Sequence, residues 1–143
     1  MRAFTLPGGG FFVLTRALIF ADGHFTGPSP APRPDDLLIA ADGGARHLLA
    51  LGLTPTAAIG DFDSLDPAQL RQLEAAGTRI VRYPREKDQT DLELALDYAL
   101  QNGADEVLIF GALGGRWDHT VANLLLLARP DLPLPTLGEL LAA

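Results

Sequence analysis

Thr56-Ala57-Ala58-Ile59-Gly60-Asp61-Phe62-Asp63-Ser64 is a short apolar run that ends in a glycine and two carboxylates one residue apart. Residues 56–59 read as a buried strand, and the chain then leaves the sheet at Gly60. That places Asp61 and Asp63 at the strand's carboxyl end, the edge where open α/β sheets bind their ligands. Two acids at such an edge suit a cation. They also suit a turn, with Asp61 bonded to its own backbone and Asp63 or Ser64 helping to cap the next helix. The following residues bear on that choice. Asp66-Pro67-Ala68-Gln69 supplies an N-cap, a proline at the first helical position and a glutamine placed to close a capping box. With Asp66 capping a helix that runs to about residue 76, the capping role for Asp61 and Asp63 loses force.

Upstream, Leu37-Leu38-Ile39-Ala40-Ala41 is a second apolar run, followed at once by Asp42-Gly43-Gly44 and a helical stretch over 45–51 that stops at Gly52. Before it, Ala-Leu-Ile-Phe-Ala over 17–21 reads as the first strand, ending at Asp22-Gly23. Residues 27–34 hold four of the 11 prolines and form an extended surface connection, because proline removes both helix and ladder hydrogen bonds. Residues 1–10, with three glycines after Pro7, read as a mobile lead-in, and 1–15 is set apart from the domain.

Downstream, residues 78–82 read as a fourth strand, broken by Tyr83-Pro84 ahead of the charged loop Arg85-Glu86-Lys87-Asp88-Gln89. Thr90-Asp91-Leu92-Glu93 has the form of a second capping box and opens a helix with an apolar stripe of Leu92, Ala95, Leu96, Ala99 and Leu100, ending at Gly103. Residues 107–110 make a fifth strand. The glycine-rich stretch from Gly111 to His119 follows and leads into a last helix reaching about residue 128. Prolines 130, 133 and 135 exclude regular structure in the tail over 129–143, which forms at most a short frayed helix after residue 136.

Composition narrows the chemistry. At 143 residues the chain fits one domain, expected over 16–128, and a domain of this size buries roughly two-thirds of its unfolded surface. Hydrophobic residues make up 48% and charged residues 20%, yet no apolar run approaches the ~20 residues of a membrane helix. The best stretch, 11–21, is interrupted by Thr15 and Arg16, and no signal peptide is legible, so the expectation is a cytoplasmic protein with no membrane partner. With no cysteine, a metal would be held by carboxylates and would be hard, such as Mg²⁺ or Mn²⁺. A net charge of -7 argues against tracking a nucleic-acid backbone. The sole lysine among the 11 basic residues is Lys87, inside the charged loop.

Strands alternate with helices throughout, which predicts an α/β fold: a mostly parallel sheet of about five strands with helices on both faces, a Rossmann-like three-layer sandwich. If the strands share a direction, their exits lie on one edge. Asp42, Asp61, Asp63, Asp88, Asp91 and Asp118 then converge there, with Lys87 and Arg116. So many carboxylates repel one another and favour protonation unless a cation neutralises them. Mg²⁺ held by a few carboxylates and by substrate phosphates meets that need, and implies phosphoryl-type transfer. Glycines 111, 114 and 115 let the backbone approach an anion, and Arg116 offers a planar fork for phosphate. Singly, Asp88, Asp91 and His119 have plainer roles as solvated, dipole-facing or capping residues.

Asp42-Gly43-Gly44, Gly60-Asp61-Phe62-Asp63-Ser64, Lys87-Asp88-Gln89-Thr90-Asp91-Leu92-Glu93 and Gly114-Gly115-Arg116-Trp117-Asp118-His119, in this order and spacing, closely resemble the catalytic domain of thiamine pyrophosphokinases. The resemblance covers roughly 16–128. It implies transfer of a pyrophosphoryl group from ATP to the hydroxyl of thiamine, giving thiamine diphosphate and AMP, with Mg²⁺ as cofactor and a homodimer as the complete family form. It implies Asp61, Asp63 and Asp91 as metal ligands and Asp61, Asp91 and Asp118 as catalytic acids. Asp42, Gly43, Gly44, Ser64, Lys87, Asp88, Thr90, Gly114, Gly115 and Arg116 are implied as nucleotide-binding residues. Family members also carry an all-β domain after the last helix, which contributes to the thiamine pocket and the dimer contact. The sequence given stops at Ala143, short of such a domain, as in a truncated or fragmentary form or in one that holds its acceptor by other means, and the expectation is a chain that binds Mg²⁺-ATP and transfers pyrophosphate poorly unless another chain completes the site. Three alternatives stay open at this point: a hydroxymethyl-dihydropterin pyrophosphokinase-type enzyme, a metal-dependent phosphatase with Asp61 as nucleophile, and a non-catalytic nucleotide-binding remnant.

Overall fold

The structure is a computed structural model that describes residues 2–5, 8–9, 11–25, 31–84 and 88–112. Strands β1 (Arg2–Thr5) and β2 (Phe11–Leu14) pair antiparallel, with Arg2 opposite Leu14 and Thr5 opposite Phe11. This hairpin replaces the mobile lead-in expected from the glycines. Gly8 and Gly9 take φ of 98° and 93°, a conformation open to glycine at no Cβ penalty, so the glycine run turns the chain instead of loosening it.

Strands β3 (Arg16–Phe20), β4 (Leu37–Ala41), β5 (Ala57–Gly60), β6 (Arg79–Arg82) and β7 (Glu106–Phe110) form one sheet in the order β6-β5-β4-β3-β7. Every pairing in it is parallel. Helices α1 (Gly44–Ala50), α2 (Pro67–Ala75) and α3 (Asp91–Gln101) connect the strands. The expected elements within the described residues are present, with ends moved by about one residue. Those expected beyond Ala112 lie outside the described residues.

Alternate residues of each strand face opposite ways, so a sheet covered on both sides needs continuous apolar strands. Ala17, Ile19, Ile39, Ala41, Ile59, Val107 and Ile109 pack under α3, against its Leu92, Ala95, Leu96 and Ala99. Leu18, Phe20, Leu38, Ala40 and Ala58 point the other way, toward Ala45 and Leu48 of α1 and Leu73 of α2. The result is the expected three-layer sandwich.

Two local devices set the frame. Asp66 accepts a hydrogen bond from the Gln69 amide (2.9 Å) while the Gln69 side chain accepts from the Asp66 amide (3.3 Å), closing the capping box of α2. At the sheet's amino edge, Arg16 donates to both carboxylate oxygens of Asp36, Nε to Oδ1 at 3.0 Å and a terminal nitrogen to Oδ2 at 2.5 Å. Asp36 Oδ2 also accepts the Arg33 amide (2.8 Å), which ties the end of the proline-rich connection to the start of β3. The consequence for function is directional. Five parallel strands deliver their carboxyl ends to one edge, and a helix running back across the sheet starts at that same edge.

Candidate functional site

Three loops meet at that edge. After β4, Asp42 turns into the left-handed region (φ 46°) while its amide still donates to the Ile59 carbonyl at 2.7 Å, the last rung between β4 and β5. Aspartate tolerates this conformation better than most residues. After β5, Gly60 has φ 150° and Phe62 φ 66°, so the chain reverses sharply around Asp61. The Phe62 amide donates to Asp42 Oδ1 (3.2 Å), and the Ser64 hydroxyl donates to Asp42 Oδ2 (2.7 Å). The Asp63 amide donates to Asp61 Oδ1 (2.9 Å). Asp91 arrives as the first residue of α3, behind the cap in which Thr90 Oγ1 accepts the Glu93 amide at 3.1 Å.

One carboxylate oxygen from each of Asp42, Asp61 and Asp91 lies within 4.8 Å of the other two, and all three residues are half-buried. Gly60 makes the approach possible. A Cβ there would stand 3.1 Å from Asp42 Cα and 3.2 Å from Asp91 Oδ2.

Burial pushes the Asp42 carboxyl above its ordinary value of 3.8; the Ser64 hydrogen bond opposes this, and the charges of Asp91, Asp61 and Asp22 add to the rise. The arrangement is therefore short of positive charge. Three convergent carboxylate oxygens are hard donors, and this donor set fits a hard divalent cation such as Mg²⁺ or Mn²⁺.

Of Asp61, Asp63 and Asp91, expected as metal ligands, the structure brings Asp61 and Asp91 together. Asp42 stands as the third neighbour of the trio, whereas Asp63 is exposed and outside it. Asp88 is also exposed. Ser64 and Thr90, expected to face the nucleotide, are engaged with Asp42 and with the Glu93 amide. Gly43 and Gly44 pack against the exit of β3. A Cβ on Gly44 would overlap the Phe20 carbonyl oxygen, and one on Gly43 would overlap the Asp22 carboxylate. Lys87, Gly114, Gly115, Arg116, Asp118 and His119 lie outside the described residues.

Two residues at this edge had no site role in the sequence reading. Asp22, ion-paired with Arg46, stands in front of Gly43. Its signal was present, since Asp22-Gly23 repeats the acid-glycine exit seen after β4. Arg82 places its guanidinium 5.4 Å from the centre of the Phe62 ring, a contact between β6 and the β5 exit that no local pattern announces.

The family model of the thiamin pyrophosphokinase catalytic domain matches residues 33–134. The chain belongs to this family. Among curated thiamine pyrophosphokinases, that of Bacillus subtilis (strain 168) is 47% identical over 91 residues, covering 64% of this chain and 42% of the relative. Thiamine pyrophosphokinase 1 of Oryza sativa subsp. japonica is 30% identical over 114 residues, covering 65% of this chain and 43% of its own length. The solved thiamin pyrophosphokinase family protein from Enterococcus faecalis superposes with a TM-score of 0.67 at 38% identity, covering 80% of this chain and 55% of that one. The solved Bacillus subtilis thiamine pyrophosphokinase gives 0.65 at 38% identity, covering 79% and 54%. The chain thus spans less than half the length of the curated thiamine pyrophosphokinases it matches. Asp42, Asp61 and Asp91 all fall within the segment that matches the thiamin pyrophosphokinase catalytic domain.

Proposed function

We propose that this chain carries the nucleotide- and metal-binding half of a thiamine diphosphokinase reaction, with residues 16–128 as the catalytic unit. The observation that carries the reading is the trio of Asp42, Asp61 and Asp91 at the carboxyl edge of the sheet, in a chain that belongs to the thiamin pyrophosphokinase family. In the transfer, the bond between the β-phosphorus of ATP and the oxygen bridging it to the α-phosphate breaks. A new bond forms from the thiamine hydroxyl oxygen to that phosphorus, the hydroxyl proton is released, and AMP leaves. A divalent cation bound by Asp42, Asp61 and Asp91 would neutralise polyphosphate charge during the transfer.

The chain's own residues hold the arrangement ready. Ser64 and the Phe62 amide fix both oxygens of Asp42, the Asp63 amide orients Asp61, and the Thr90 cap sets the start of α3 from which Asp91 projects. Positioning of this kind is the main catalytic contribution in phosphoryl transfer. Lys87, Arg116 and the Gly114-Gly115 turn are assigned to the phosphates, and Asp118 to the acids of the site, on the family resemblance. The same reading takes the working form as a cytoplasmic homodimer with ATP and thiamine as small-molecule substrates. Among the described residues, no helix is long and apolar enough to cross a membrane.

The test is incubation of the protein with ATP and Mg²⁺, with and without thiamine, followed by separation of AMP, ADP and phosphate. AMP formed only when thiamine is present supports the reading. ADP, or phosphate released without an acceptor, would overturn it in favour of a kinase or a phosphatase, and AMP formed with a hydroxymethyl-pterin but not with thiamine would reassign the acceptor.

A further inference from the structure

Phe62 is a bulky aromatic residue in the left-handed region (φ 66°), a conformation that glycine, asparagine and aspartate adopt far more readily. It lies between Asp61 and Asp63, and its amide reaches across to Asp42 Oδ1 at 3.2 Å. A side chain held in that region persists only where its surroundings over-determine it, and such residues gather at ligand clamps. Two surroundings do so here. The Phe62 ring is 5% exposed and sits in the core layer with Leu65 and Leu73. The Arg82 guanidinium lies over the ring, 5.4 Å from its centre. Arg82 is the last residue of β6 and lies opposite Gly60 in the β5–β6 register, one residue ahead of Asp61.

We propose that Arg82 and Phe62 form a latch that presets the acid trio, Arg82 acting as a positioning residue through the Phe62 ring. With the ring pinned, the left-handed turn at Phe62 is held, its amide stays on Asp42, and Asp61 stays turned toward Asp42 and Asp91. Without the cation over the ring, the turn relaxes and the three carboxylate oxygens lose their convergence. The inference rests on the trio being a divalent-cation site, as proposed above.

The direction of the change in metal affinity separates this role from simple electrostatics. Arg82 is a positive charge beside a cation site. If its charge alone mattered, removing it would tighten binding of a divalent metal. The latch demands the opposite result.

The test is calorimetric titration of Mn²⁺ into the wild-type protein, R82A and R82K, with melting temperatures recorded in the absence of metal. Arg82 is exposed, so both variants are expected to fold. R82A should weaken Mn²⁺ binding about threefold, the factor that loss of an exposed cation–π contact supplies, and R82K, which returns a cation to the ring, should recover at least half of that loss. A merely structural role would lower the melting temperature and leave Mn²⁺ affinity unchanged. Unchanged or tighter binding in R82A, or an R82K no better than R82A, overturns the latch. Failure of the wild-type protein to bind Mn²⁺ overturns the metal centre itself, a distinguishable result.

Discussion

Gly60 and Asp91 face each other across the carboxyl edge of the sheet, so closely that a methyl group on Gly60 would stand 3.2 Å from Asp91 Oδ2. The same methyl would lie 3.1 Å from Asp42 Cα, on a backbone with φ 150°. Gly60→Ala is therefore expected to cost about 1–3 kcal/mol in urea unfolding, from the strained backbone and the crowded contacts. It should also weaken Mn²⁺ binding by pushing Asp91 away from Asp42. An alanine variant of wild-type stability and affinity would show that the edge has more slack than these distances allow.

Asp42→Asn tests the charge balance of the trio. The amide keeps an acceptor for the Phe62 N–H, and the Ser64 hydroxyl can rotate to accept from the new NH₂. Burial and the like charges of Asp91 and Asp61 oppose the Asp42 carboxylate, so its neutral replacement should leave the metal-free protein equally stable or more stable by ~0.5–1 kcal/mol. Metal-dependent stabilisation should be lost. Thermal melts with and without Mg²⁺ read both effects at once, and a variant stabilised by Mg²⁺ as much as wild type would remove Asp42 from the ligand set.

The two glycines after Asp42 should respond differently to alanine. At Gly44 the new Cβ meets the Phe20 backbone carbonyl, which belongs to β3, a strand paired on both sides by β4 and β7, and so has little room to move. A loss of about 3 kcal/mol is expected. At Gly43 the obstacle is the side chain of Asp22, which is exposed and can swing away, and the backbone is already helical (φ −64°). There the cost should be near 1 kcal/mol, read in the same denaturant titration.

The Arg16–Asp36 pair predicts a pH dependence at the opposite edge. Burial alone would raise the Asp36 carboxyl, but the hydrogen bonds from Arg16 and Arg33 and the charges of both arginines hold it below its ordinary value of 3.8. A folded value below the unfolded one stabilises the protein above pH 3.8, and that contribution disappears as the pH falls through the folded value. The two side chains are 13% and 4% exposed, so Asp36→Asn should cost roughly 2–3 kcal/mol at pH 7. The gap between wild type and variant should narrow below pH 4. A gap independent of pH would mean that packing, not charge, carries the contact.

Much of this molecule is legible without coordinates. Residues 37–41 and 107–110 announce themselves as strands because a sheet covered on both faces needs unbroken apolar runs, and α2 and α3 are announced by Asp66 and Thr90, whose capping bonds are local in sequence. The hairpin over Arg2–Thr5 and Phe11–Leu14 was missed because a glycine run carries the same composition whether it turns the chain or frees it. Only its pairing tells the two apart.

The candidate site divides in the same way. Asp42, Asp61 and Asp91 are all among the six acids that the alternation of strands and helices puts at the carboxyl edge, each at a strand exit or a helix start. The narrower metal set of Asp61, Asp63 and Asp91 is what the family resemblance implies. In the structure it is Asp42 that lies beside Asp61 and Asp91. Parallel pairing of β4 with β5 sets the two strand exits side by side, whereas the left-handed turn at Phe62 leaves Asp63 exposed. Which carboxylates converge follows from the register of β4 against β5, a long-range pairing that the spacing of the acids themselves does not encode.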